Sequence, residues 1–114
     1  MTETHEDHIE RFINEFRTKC EKLAHARARC RKSENAKKRI LALAMRAAEV
    51  RGFKTAAAQL REAEASEVYE KWADEDVAAL LEREILSAEI ESDKLRWETW
   101  RTRSADRRAE MGMR

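Results

Sequence analysis

The sequence holds no proline and only two glycines, and 6% of its residues are aromatic. Sandwiches and barrels turn their strands on glycine and proline, so this composition excludes them. No stretch approaches the ~18 uncharged residues of a membrane-crossing helix. The opening residues, Met1-Thr2-Glu3-Thr4-His5-Glu6-Asp7, are acidic and do not read as a secretory leader, so a cytoplasmic protein is expected. There is no glycine-rich phosphate loop and no nucleophile motif. His5, Asp7 and His8 fall within one helical turn, but nothing else converges on them. His25 stands alone among alanines and arginines. All three histidines read as solvent-exposed, and no pair of glutamates stands out. The expectation is a protein that is not an enzyme and carries no metal or cofactor.

What remains is a helix-forming alphabet. Charged residues make up 41% of the 114, and 19 of the apolar residues are alanines. Alanine, glutamate, lysine and arginine give long helices with narrow apolar stripes. Such helices bury little surface alone and commonly associate with copies of themselves. The expected fold is all-α: a single domain of long helices in a hairpin or bundle, coiled-coil-like and assembled as a homo-oligomer. Cys20 and Cys30 lie ten residues apart. That is ~15 Å along one helix, too far for a disulfide within it. Both fall on apolar stripes and read as small buried hydrophobes, with an interchain disulfide as the minor alternative.

Apolar spacing sets the elements. Ile9, Phe12, Ile13, Phe16, Cys20, Leu23 and Cys30 predict a first basic amphipathic helix over residues 1–33, ending where Ser33 and Glu34 suggest a restart. Residues 34–73 read as two shorter helices broken near Gly52, with Thr55 as a cap for the second. Asp74-Glu75-Asp76 predicts the start of a long last helix over residues 74–111. That helix has two apolar rows. Val77, Leu81, Ile85, Ala88, Ser92 and Leu95 form one; Leu86, Ile90, Trp97 and Trp100 form the other. The second row is the expected oligomer interface.

The net charge of +1 hides blocks: −4 over residues 1–16, +8 over 17–39, +3 over 40–61, −10 over 62–93 and +4 over 94–114. One reading pairs the acidic block of one helix with the basic block of another. The other makes the basic block a surface for phosphates. Its candidate nucleic-acid-binding residues are Arg27, Arg29, Arg31, Lys32, Lys37, Lys38 and Arg39. The segment Gly52 to Leu60 has some helix-turn-helix character. The residues that should form a recognition helix turn acidic, and an acidic helix repels duplex DNA. Trp97 and Trp100 lie among Arg96, Arg101 and Arg103, a set that can stack on single-stranded bases or pack an interface; packing is preferred for at least one of them.

A basic early part is followed by Lys54-Thr55-Ala56-Ala57, by Ala65-Ser66-Glu67-Val68-Tyr69, and by a helix ending Trp100-Arg101-Thr102-Arg103-Ser104-Ala105-Asp106-Arg107-Arg108-Ala109-Glu110-Met111. Over roughly residues 35–111 this order resembles small all-helical early proteins of tailed bacteriophages, some of them similar to the UvsY-type recombination mediators. The resemblance implies a helical, oligomeric, non-catalytic protein of the host bacterial cytoplasm. It implies binding of single-stranded DNA through basic residues on a ring or rim, with recombinase or single-strand-binding protein as possible partners. The expected function is therefore accessory to DNA recombination or replication. Two alternatives stay open: a protein-interaction module, such as an inhibitor of a host nuclease or defence complex, and a structural coiled-coil scaffold.

Overall fold

The computed structural model describes residues 4–112. It contains α1 (His5–Val50), α2 (Ala56–Glu64) and α3 (Glu67–Gly112), with no strand among the described residues. α1 and α3 have 46 residues each and α2 has nine. The all-helical class is as the composition indicates, but the helix boundaries differ from the sequence reading in two places.

Ser33 does not interrupt α1. Its neighbours are all compatible with a helix, and its hydroxyl donates to Asp76 Oδ1 at 2.7 Å. With that partner the hydroxyl does not compete for its own backbone. Nor does the last helix wait for Asp74. It begins at Glu67 because Ser66 caps it, the Ser66 hydroxyl accepting from the Tyr69 N–H at 3.3 Å and donating to the Ala63 carbonyl at 2.6 Å. Glu67 and Glu70 place negative charge in the first turn, where the helix dipole favours it.

The expected break near Gly52 is present. Gly52 has φ +108. Its N–H donates to the Glu49 carbonyl at 3.0 Å, and the Phe53 N–H donates to the Ala48 carbonyl at 3.1 Å. This paired arrangement closes a helix on a left-handed residue, and glycine alone adopts it without strain. Thr55 then caps α2 by accepting from the Ala58 N–H at 3.1 Å. At the other end of α1, Thr4 and Asp7 form a reciprocal box. The Asp7 N–H donates to Thr4 Oγ1 at 3.2 Å and the Thr4 N–H donates to Asp7 Oδ2 at 3.1 Å. Thr4 holds the Asp7 carboxyl below the ordinary aspartate range, through its side-chain hydroxyl first and its backbone N–H second.

The chain divides into two units, each built from a stretch of α1 and a stretch of α3. The first takes α1 up to Leu23 and α3 from Glu84. Here Ile9, Phe12, Phe16, Lys19 and Leu23 alternate by three and four residues along α1, as do Leu86, Ile90, Asp93, Trp97 and Trp100 along α3. The stretches run antiparallel: His5 meets Trp100, Phe12 meets Trp97, and Lys19 meets Asp93. Leu23, Leu86, Ile90 and Asp93 are buried, and Cys20 is half-buried.

The second unit holds residues 24–83, with α2 among them. Its buried residues are Ala26, Cys30, Ala48 and Ala63. Again α1 and α3 are antiparallel, Arg29 meeting Glu82 while Ser33 meets Asp76. Trp72 Nε1 donates to the Ser33 carbonyl at 2.9 Å, which ties the α3 stretch to the middle of α1. Both cysteines are free thiols.

Candidate nucleic-acid interface

In the second unit α1 turns Ala26, Cys30 and Ser33 inward. At 100° per residue, Ala24, Ala28, Arg31, Asn35 and Arg39 fall on the opposite side of that helix, with Arg27 at its flank. There they line a shallow depression of about 760 Å³, joined by Lys32 and Ala36. Alanines make its floor, and three arginines and a lysine stand along its sides. All four cations are exposed, and none has a hydrogen bond or ion pair among the described residues. Arg27 and Arg31 are four residues apart on the helix, a spacing at which like charges repel by a few tenths of a kcal/mol. A polyanion laid along this face would relieve that repulsion.

The seven basic residues proposed from sequence therefore do not act as one set. Arg27, Arg31, Lys32 and Arg39 share the depression. Arg29 points elsewhere, its guanidinium 2.6 Å from the Glu82 carboxylate, with both side chains about half exposed. Lys37 lies 5.8 Å from the centroid of the Trp72 ring, a cation–π distance. Lys38 is exposed but does not line the depression. Paired and unpaired cations of the basic block thus lie on different faces of one helix. Arg29 pairs with the acidic block, and in the first unit so does Lys19, whose Nζ is 2.8 Å from Asp93 Oδ2. The signal that separates the faces is the alanine spacing at 24, 28 and 36.

The oligomer-interface expectation needs correcting for two residues. Leu86 and Ile90 are buried within the chain, at 8% and 6% exposure. Trp97 is half-buried, stacked on Phe12 at 5.7 Å and on Trp100 at 5.1 Å between centroids. Trp100 is 37% exposed. The open apolar row is the other one. Ile85 and Leu95 in the first unit, and Val77 and Leu81 in the second, are each at least half exposed.

Two further features bear on chemistry. Among the described residues, no group of three or more His, Cys, Asp or Glu side chains could hold a metal ion. No described helix is long and apolar enough to cross a membrane. Comparison with known proteins finds no matching family model, no matching curated protein and no matching solved structure.

Proposed function

We propose that this protein is a non-catalytic accessory of DNA recombination or replication that binds single-stranded DNA along the outer face of α1. The supporting observation is the unpaired set Arg27, Arg31, Lys32 and Arg39 over a floor of small side chains. A phosphate backbone is a linear array of charge and fits a linear array of cations on one helix face. The resemblance to UvsY-type mediators supplies the setting, with a recombinase or single-strand-binding protein as the further partner. Binding would be stoichiometric, sensitive to salt and tolerant of base sequence.

The protein acts as a homo-oligomer in this proposal. The exposed row Ile85, Ala88, Ser92 and Leu95 on α3 repeats by three and four residues, the spacing of a helix–helix seam. Glu89, Glu91 and Glu98 flank this row, as does Arg96, so opposite charges are available to a second copy of the same surface. The deciding experiment is fluorescence anisotropy with a labelled single-stranded oligonucleotide at low and high salt, with light scattering in the same buffers. Charge reversal of Arg27, Arg31, Lys32 and Arg39 together should abolish binding and leave the oligomer intact. A folded protein that never binds the strand at low salt removes the proposal.

A further inference from the structure

Within the first unit, aromatic rings collect where the start of α1 meets the later part of α3. Phe12, Trp97 and Trp100 form a continuous stack, with centroid separations of 5.7 and 5.1 Å and interplanar angles of 15° and 25°. Offset stacking of this kind holds each ring through its neighbour. The stack is anchored at Phe12, which is half-buried, and opens to solvent at Trp100. His5 tilts against Trp100 at 5.5 Å and is itself exposed. Beside the rings lies a cavity of about 700 Å³, a size that admits a small organic ligand. Arg96, Arg103 and Arg107 line it.

The charge of this lining is one-sided. Among the described residues no aspartate or glutamate belongs to it, although carboxylates line two neighbouring depressions on the same unit: Glu98 one, Asp93 and Glu98 the other. Arg96 is engaged, 3.7 Å from Asp93 and 5.5 Å from the centre of the Phe12 ring. Arg103 and Arg107, one turn apart, have no such partner among the described residues. Ser92 and Ser104 add hydroxyls to the wall. A flat aromatic surface beside two free guanidiniums matches a ligand that is aromatic at one end and anionic at the other.

We infer that this cavity is a second nucleic-acid site, in which one nucleobase stacks on Trp100 while Arg103 and Arg107 hold the adjoining phosphate. The inference rests on the reading of the protein as a single-strand binder and extends it. The α1 face reads phosphates, which every nucleic acid has. The Trp100 site reads the exposed face of a base, which a paired duplex hides inside its own stack. Preference for single strands comes from this second site.

Two probes separate the sites: a short labelled oligothymidylate, and a matched oligomer of abasic deoxyribose phosphates. A stacked base contributes about 1–3 kcal/mol, so the oligothymidylate should bind ~5- to 150-fold more tightly than the abasic chain. Trp100→Ala should erase that preference and leave abasic binding unchanged. Trp100→Phe should keep most of it. Trp100→Leu retains an apolar side chain against Trp97 without an aromatic face, and decides the question if alanine disturbs the fold. Equal affinity of the native protein for both probes overturns the stacking site while the α1 reading stands. So does a folded Trp100→Leu protein that keeps the preference. Failure of both probes to bind at low salt overturns both readings together.

Discussion

Asp93 carries a buried electrostatic constraint in the first unit. Among the described residues it is the charged side chain that is buried, at 5% exposure, on the helix row that otherwise holds Leu86, Ile90 and Trp97. Lys19 answers it at 2.8 Å, and Arg96 approaches at 3.7 Å. Such a pair fixes register more than it stabilises, because taking both charges from water offsets most of their attraction. Lys19→Met should destabilise the protein by about 2 kcal/mol in urea titration. That is less than the ~3–5 kcal/mol of a fully buried pair, because the Lys19 side chain keeps 30% of its exposure. Replacing both residues, Lys19→Met with Asp93→Leu, should recover most of the loss, at the cost of slippage between the stretches. The pair also sets an alkaline limit. The hydrogen bond to Asp93 raises the Lys19 pKa above the ordinary 10.5. Its stabilisation is therefore complete below that value and disappears as pH rises through the higher, folded one. The urea midpoint should fall with that profile in the native protein, and the double variant should lack that part of the fall. At acid pH the corresponding group is Asp7. Its lowered pKa makes its contribution present above the ordinary aspartate range and lost below it, so the first turn of α1 should fray in acid.

Helix ends decide how this sequence is divided. Gly52→Ala meets open space but forces a side chain onto φ +108. The expected loss is about 1–2 kcal/mol, read as a lower urea midpoint with unchanged slope. Ser66→Ala should cost about 1 kcal/mol through the lost cap of α3, with faster amide exchange at Tyr69 as its local signature. These two residues also show what was legible in the sequence. Gly52 was readable because a glycine in a glycine-poor chain has few other uses. Ser66 was equally readable in principle, as a serine followed by Glu67 and Glu70, but it lay inside an apolar pattern that continued across it. Ser33 misled in the opposite direction. It resembles a cap in sequence, yet its partner Asp76 lies 43 positions away and no local rule sees it. The Leu86–Ile90 row was visible as a row, but not its target. Periodicity gives a helix its sticky side and is silent about whether another copy or the same chain covers it. The basic block was visible as charge, whereas its division into paired and unpaired faces needed the helical angle.

For the molecule as a whole, a net charge of +1 is a poor guide to behaviour in salt. Binding should follow the local charge of the α1 face. If its four cations each neutralise a phosphate, the logarithm of the binding constant should fall with the logarithm of salt at a slope of about −3, and each cation removed should flatten it by ~0.7. Additional contacts at Arg103 and Arg107 would steepen the slope for strands long enough to reach both sites. Self-association should respond to different residues. Ile85→Glu with Leu95→Glu is expected to lower the mass seen by light scattering without loss of helix signal, because both side chains are already exposed. The two thiols offer a separate measurement. Cys20 belongs to the first unit and is half-buried; Cys30 belongs to the second and is 7% exposed. An alkylating reagent reaches a buried thiol only when its surroundings open, so the labelling rate becomes a clock of that opening. One native chain therefore carries a stopwatch at Cys30 and a reference of direct access at Cys20, and mass spectrometry of the two cysteine peptides reads them side by side. A strand that occupies the α1 face should slow the Cys30 clock, since that thiol sits on the inner side of the same stretch of helix.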